Sequence, residues 1–487
     1  MIKIQDLCIE SNQNILACME LLDKNAQGIV FVVNKGRLLG SLSDGDIRRA
    51  IISGANNNDC IAKYGNKEVV ALQVGVSEEE IQKKLLKGIK IIPLLDDKGI
   101  VVDYASIFRL RSFPVMEPLL GGNELEYVTE CIKTNWISSQ GKYVLQFEEM
   151  LQQQCSVDYC LATSNGTVSL HLALVSLNIG IGDEVIVPNL TFGASVNSII
   201  HSGATPVLID VDLDSWNISP ELIRAAITPK TKAIMPVHIY GNPCDMVGIM
   251  EIAKKFNLFV IEDCAEALGA TINGQPVGSF GHAAAFSFFA NKVITCGEGG
   301  ALVLRDKKVY EKASLMRDHG MLKGKRYWHV DIGYNYRLTN LQAAIGCAQL
   351  EQLSDFRKRR INIFKLYDQY LLSSSYFIKQ QISIESESSY WLYSLCIKDG
   401  VEVDRDTLMK RLALLGIETR PLFYPMNLMP AFKNVVKSLS LDNSELISSQ
   451  GLSLPTSVIL TNIEIQSICK EILYIMKGLL KNNKAKY

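Results

Sequence analysis

Two periodicities alternate along this chain. Apolar side chains recur at helical spacing from Ile15 to Lys24, then give way to a β-rich run, IVFVVNKGRLLGSL (29–42), before a helix opens at SDGDIRRAI. About sixty residues later the order returns as the helix-like SEEEIQKKLLKG, the strand-like IKIIPLLDD, a turn, and IVVDYASIFRL. This repetition predicts two copies of one small α/β unit over residues 1–110. FRLRSFPVMEP (108–118) holds two prolines and shows no period, which predicts a linker over 111–118. Beyond it, DEVIVP (183–188), TPVLIDV (205–211), KAIMPVHIY (232–240) and LFVIEDC (258–264) alternate with helix-like ELIRAAI and MVGIMEIAKKF. Apolar strands separated by amphipathic helices predict a mostly parallel sheet with helices on both faces. We therefore expect a large α/β domain over 119–345. Helix-rich sequence and short strands such as YWLYSLCIK (390–398) predict a smaller α+β lobe over 346–487.

Composition changes this picture mainly by exclusion. With 48% hydrophobic and 21% charged residues, the chain has an ordinary globular profile and no long disordered region. Lys+Arg number 50 against 51 Asp+Glu, which gives no sign of nucleic acid held by bulk charge. The cysteines form no CxxC, Cys155 and Cys160 lack zinc-ligand spacing, and the histidines form no HExxH, so no metal site is expected. MIKIQDLCIESNQ lacks the basic flank and apolar core of a secretory signal. The apolar stretches are broken well before 18 residues, too short to span a membrane. A reduced, cytoplasmic protein is expected.

Candidate chemistry gathers in three stretches. SFFANKVITCGEGGALVL (287–304) places Lys292 between an apolar segment and a glycine-rich turn. Desolvation there favours the neutral, nucleophilic amine. VIEDCAEALGA (260–270) is an apolar strand ending in acids, and strand carboxyl ends are where α/β proteins place ligand contacts. ATSNGT (162–167) precedes an apolar helix, and free N–H groups at a helix start suit a phosphate. Singly, these are a loop lysine, a capping Asp and a turn. Together, a phosphate cradle, an acid for a pyridine nitrogen (Asp263) and a downstream lysine describe pyridoxal 5'-phosphate (PLP).

Residues 115–487 resemble the DegT-type PLP-dependent sugar aminotransferases, with the fold-type-I PLP transferase architecture. The resemblance runs through NWISSQGKYV (135–144), TSNGTVSLHLAL (163–174), PNLTFGASVNSI (188–199), EDCAEALGA (262–270), SFFANKVITCGEGG (287–300) and GYNYRLTNLQAAIG (333–346). It implies that Lys292 carries the cofactor and shuttles the proton, and that Asp263 keeps the ring nitrogen protonated. It also implies that Gly166, Thr167 and Ser287 bind the phosphate and that Phe192 stacks on the ring. Asn335 would reach the phosphate in a neighbouring subunit, which implies a homodimer with shared sites. Glu266 stands where the family commonly has Gln facing the phenolic oxygen, and a carboxylate there is repulsive unless it holds a proton. Asn427, in RPLFYPMNLMP (420–430), stands where relatives usually have His, in a segment read as part of the sugar pocket. His238, His319 and His329 are read as structural, and the tryptophans and remaining phenylalanines as core.

The implied reaction moves an amino group from L-glutamate to the ketone of a nucleotide-linked 4-keto-6-deoxy sugar, for surface polysaccharide synthesis. The wording is closest to members acting on GDP-linked sugars. Alternatives are another keto sugar or keto acid, a sugar 3-dehydratase, which Lys292 argues against, and a non-catalytic sensor. The N-terminal repeats resemble a tandem CBS module, in which Ser43 and Asp46 have the spacing that holds a nucleotide ribose. The same two residues equally suit the cap of a helix. Asp103 and Ser106 reverse that order in the second repeat.

Overall fold

The computed structural model describes every residue except 1–3, 26, 86–88, 107–111, 438–439 and 485–487. The end of the expected N-terminal region and the first residue of the expected linker lie outside the described residues. The chain forms two compact units. One comprises Met1–Phe113, Leu408–Glu418 and Lys470–Tyr487, and the other Pro114–Thr407 and Thr419–Cys469.

The first unit contains the repeat. β1 (Cys8–Glu10), α1 (Ile15–Asn25) and the hairpin of β2 (Ile29–Asn34) and β3 (Arg37–Ser43) make a sheet of order β1-β2-β3, followed by α2 (Asp44–Ile52). The copy has β4 (Leu72–Gln73), α3 (Glu78–Leu85), β5 (Ile91–Leu95) and β6 (Val101–Ser106), in the order β4-β5-β6. In each copy the first pair is parallel, with a helix between its strands, and the second pair is an antiparallel hairpin. The copies share one apolar cluster, in which Leu7, Phe31 and Val33 meet Ile91, Val101 and Tyr104. The two later segments were expected in the C-terminal lobe. The first joins this unit through main-chain bonds of Phe113 N to Gly416 O (2.8 Å) and Glu418 N to Phe113 O (2.9 Å), and the second through Lys90 Nζ, which donates to Glu471 Oε1 at 3.2 Å. Leu408, Leu412 and Ile417 of the first, and Ile472 and Met476 of the second, are buried. Each such side chain contributes about 2 kcal/mol on burial.

The second unit is built on an eight-stranded sheet. Its strands are β7 (Tyr159–Thr163), β8 (Glu184–Pro188), β9 (Thr205–Ile209), β10 (Thr231–Ile234), β11 (Phe259–Asp263), β12 (Ala283–Ser287), β13 (Gly300–Leu304) and a late edge strand, Val436–Lys437. From that edge the order is β9-β8-β10-β11-β12-β13-β7, parallel as far as β12 and antiparallel at the last two pairings. The strand runs are apolar throughout because both faces are covered. Val185 and Val187 enter one core cluster, and Ile186 between them enters the other. α4 (Gly166–Ser176), which follows β7, is buried along nearly its whole length, so it shows no polar face. A four-stranded sheet formed by Phe377–Lys379, Tyr393–Ile397, Gly451–Leu454 and Arg420–Pro421 makes the smaller lobe of this unit. Among the described residues, no helix is long and apolar enough to cross a membrane.

Candidate active site

The sheet brings three strand ends to one edge. Asp263 closes β11 opposite Ala285 of β12, two residues before Ser287. Ser287 pairs with Gly300, and Gly300 with Thr163 at the end of β7. α4 starts just beyond, capped by Asn165, whose Oδ1 accepts from Val168 N at 3.0 Å. A β-carbon on Gly166 would lie 2.9 Å from Cβ of Ser287, so the helix start is pressed onto the strand end. The first N–H groups of a helix have no intrahelical acceptor. Here those groups stand beside the hydroxyl-bearing Thr167 and Ser287, both half-buried.

Lys292 lies on the loop between β12 and β13, with only 14% of its side chain exposed. Its Nζ is 3.5 Å from Oε1 of Glu266 and 4.1 Å from the centroid of the Trp391 ring. Trp391 is fixed in turn, its Nε1 donating to Asn291 O at 2.6 Å. Glu266 is buried, and its Oε2 accepts from Tyr240 N at 2.7 Å. Burial pushes the Glu266 carboxyl up to about 7, although Lys292 and the Tyr240 N–H pull the other way. Asp263 Oδ2 accepts from Ser195 Oγ at 2.8 Å, and Oδ1 accepts from Ala265 N at 3.1 Å. Burial raises the Asp263 carboxyl above its ordinary range, against the pull of those two hydrogen bonds and of Lys292. An aromatic wall runs alongside. Tyr240 stacks on Trp391 at 6.3 Å and on Phe423 at 5.3 Å, and the exposed Phe192 lies 5.8 Å from Phe423.

The structure thus assembles Asp263, Glu266 and Lys292 as one group, and Gly166, Thr167 and Ser287 as another at the same sheet edge. Phe192 precedes the helix Gly193–His201, whose first turn supplies Ser195. Asn335 is exposed, and its Oδ1 accepts from Arg337 Nε at 3.2 Å. Its neighbour Tyr336 receives Ser164 N at 2.9 Å, which sets this strand beside the start of α4. Ser195, Tyr240 and Trp391 are not among the residues expected from sequence. The hydroxyl one turn after Phe192 was the available signal for Ser195, whereas Trp391, expected as core, is buried yet forms a wall against Lys292.

Asn427 is held between the smaller lobe and the end of β8. It donates Nδ2–H to Glu445 Oε1 (2.8 Å) and accepts from Asn189 Nδ2 (2.9 Å), so its amide clamps a loop. His238 is fully buried. Its Nε2 meets Glu262 Oε2 at 3.2 Å, and its Nδ1 accepts from Cys244 N at 3.0 Å. Glu262 also takes N–H groups from Gly278, Phe280 and Gly281. His238, Glu262 and Cys264 lie close enough to share an ion, but the imidazole and carboxylate are already satisfied as a structural network. His319 contacts Arg337 through Nε2 at 3.3 Å, and His329 contacts the His319 carbonyl at 2.9 Å.

In the first unit, Ser43 and Asp46 form a capping box on α2. Ser43 Oγ accepts from Asp46 N, and Asp46 Oδ2 accepts from both Ser43 N (2.8 Å) and Ser43 Oγ (2.7 Å). The expected ribose pair is therefore engaged with itself and with Arg49. A cavity of about 510 Å³ does open here, and Ser43 and Asp44 line it together with Ile29, Ile91, Lys90 and Tyr474.

The DegT/DnrJ/EryC1/StrS aminotransferase family matches residues 118–473. The chain belongs to this family. A CBS domain matches residues 2–53, the first of the two repeats. A GDP-perosamine synthase from Caulobacter vibrioides is 45% identical over 360 residues, covering 74% of this chain and 97% of that protein. One from Escherichia coli O157:H7 is 46% identical over 366 residues, with 74% and 98% covered. The structure of an aminotransferase from Psychrobacter cryohalolentis superposes with a TM-score of 0.70 at 33% identity, covering 74% of this chain and 98% of that one.

DegT-type enzymes use PLP, and the residues present fit it. The close approach at Gly166 leaves helix-start N–H groups and two hydroxyls for a phosphate. Asp263 is a buried carboxyl raised by burial, the kind of group that a cationic ring nitrogen returns to its charged form. Lys292 is the nearby amine.

Proposed function

We propose that this PLP-dependent sugar aminotransferase uses Lys292 as its catalytic amine. The proposed reaction moves the amino group of L-glutamate to the ketone of a GDP-linked 4-keto-6-deoxy sugar. The observation that carries this reading is the buried triangle of Lys292, Glu266 and Asp263 at the carboxyl ends of the strands. The names of the relatives support the acceptor. When bound, PLP supplies an electrophilic carbonyl carbon and an electron-withdrawing ring. Lys292 Nζ acts as nucleophile, then holds the proton and moves it to and from the reacting substrate carbon. Asp263, oriented by Ser195 and Ala265 N, keeps a proton on the ring nitrogen. Gly166 N–H, Thr167 and Ser287 bind the phosphate, and Phe192 covers the ring. Glu266, fixed by the Tyr240 N–H, presents towards Lys292 a carboxyl that burial pushes up to about 7, and with the cofactor bound it would hold or release a proton beside the phenolic oxygen.

Asn335 completes the phosphate site of a second subunit in this reading, so the working unit is a homodimer with shared sites. The exposure of Asn335 and the strand that carries it past Ser164 support this. In the N-terminal module, the reading places a nucleotide in the cavity beside Ser43, with Asp44 as the available carboxylate. Ping-pong transamination provides the test of the enzyme reading. Enzyme pre-treated with glutamate and then mixed with a panel of nucleotide-linked 4-keto sugars should regain its starting cofactor absorbance with the GDP-linked ketone. Recovery with only an unlinked keto acid would refute the acceptor.

A further inference from the structure

One arginine of the second unit lies where a charge is least expected. The helix Leu353–Tyr367 turns Leu353, Phe356, Ile363 and Tyr367 into the core, and Arg360 falls on the same stripe. It is only 3% exposed. Among the described residues no carboxylate faces it, and its Nε–H has no acceptor. Its Nη1 donates to Val293 O at 2.9 Å, and its Nη2 donates to the Met116 sulfur at 3.7 Å. Burial lowers the guanidinium to about 10, so it still carries its charge near neutrality. A buried cation without an acid destabilises a fold, and an apolar side chain of similar size would pack there without that penalty.

The acceptor that Arg360 does have belongs to the residue after Lys292. The segment between β12 and β13 is irregular, so its buried carbonyls have no strand or helix partner and need a donor from elsewhere. Two side chains supply one, on either side of the lysine. Trp391 Nε1 donates to Asn291 O at 2.6 Å, and Arg360 Nη1 donates to Val293 O. Between them, Lys292 N donates to Phe289 O at 2.9 Å. The Val293 and Ile294 side chains are buried, which pins the loop beyond the lysine. The main chain is thus fixed before and after Lys292, while its Nζ reaches Glu266 and the face of Trp391. A leucine could fill the space of Arg360, but it has no donor for Val293 O. In the plainer alternative Arg360 only satisfies one buried carbonyl. The two readings differ in what its removal does to the lysine.

We propose that Arg360 is a positioning residue for Lys292, and that its bond to Val293 O holds the amine where it can reach the carbonyl carbon of the cofactor. The proposal rests on the reading of Lys292 as the amine that takes PLP. Arg360 acts through the main chain of the loop, and the chemistry stays with the lysine.

The test uses full-length, cofactor-free protein with PLP as the probe. On capture, Lys292 Nζ adds to the aldehyde carbon and one water leaves, and borohydride then reduces the new C=N bond so that it can be counted. Arg360→Met, similar in length but without a donor, should slow capture by about tenfold or more. On a Lys292→Ala background, where the phosphate cradle and Asp263 alone hold PLP, the same change should leave the Kd for PLP within about twofold. Arg360→Lys, which keeps a cation but not the planar fork, should capture PLP about threefold more slowly than wild type. Where circular dichroism shows that Arg360→Met does not fold, Arg360→Lys decides alone. Capture at the wild-type rate in the folded Met variant, or in the Lys variant where the Met variant does not fold, would overturn the proposal. So would a loss of PLP affinity on the Lys292→Ala background as large as the loss of rate, because that marks a distorted site. Cofactor fixed to a residue other than Lys292 in the wild type would refute the reading of the lysine and the proposal with it.

Discussion

Lys292 Nζ and Glu266 Oε1 lie 3.5 Å apart in a buried site, with the Glu266 carboxyl pushed up to about 7. The folded state therefore binds a proton at Glu266 that the unfolded state has released between the ordinary 4.5 and about 7. Stability falls as pH rises through that window, by up to about 3 kcal/mol from this group, and is flat beyond it. Glu266→Gln keeps the shape and removes the titration. In cofactor-free protein, the Gln variant should gain on wild type steadily from pH 4.5 to about 7, as read by denaturant midpoints. A difference that does not change with pH would contradict the protonation assigned to Glu266.

Lys292→Ala should lower turnover by at least about 10³-fold, because one residue supplies both nucleophile and proton carrier. Borohydride should fix cofactor to the wild-type chain and not to the variant, with peptide mapping as the check. The variant should still retain PLP through Thr167, Ser287 and Asp263. Normal turnover by Lys292→Ala would remove the lysine from the chemistry.

Gly166→Ala tests the cradle. The added β-carbon would lie 2.9 Å from Cβ of Ser287, so either the helix start or the strand end must shift. Overpacking of this kind costs about 1–3 kcal/mol, and PLP affinity should fall by roughly tenfold or more. Equilibrium titration of the cofactor-free protein with PLP measures it, and an unaltered Kd would show that the phosphate lies elsewhere.

Mixed dimers test Asn335. Lys292→Ala and Asn335→Ala chains, each nearly inactive alone, should recover about a quarter of wild-type activity when reassembled at random. About half the dimers are then mixed, and each has one intact site. If both residues serve a single chain, every site keeps one lesion and nothing returns.

Much of the fold follows from local pattern. The runs at 183–188, 205–211 and 258–264 read as buried strands because β-branched and aliphatic residues continue through both faces, and each contains one of the observed strands. Lys292, Asp263 and Gly166 were legible because their chemistry is written in adjacent residues. Ser195, Tyr240 and Trp391 were not, since they reach the site from separate segments and their type alone says "core" or "cap". Ser43 and Asp46 show the reverse case. Their spacing suits a ribose, but the capping box bonds them to each other. The placement of Leu408–Glu418 and Lys470–Tyr487 was equally hidden, because an amphipathic helix announces an apolar face without naming what covers it.

That placement sets an order of assembly during synthesis. The first unit needs the segment that begins at Lys470, and the second is complete in sequence by Cys469. The N-terminal repeats leave the ribosome first yet must wait for the segment that begins at Lys470 before their unit can close. The catalytic unit has all of its segments available earlier. A stalled or prematurely ended chain would therefore carry a finished catalytic unit and an N-terminal one still short of a segment.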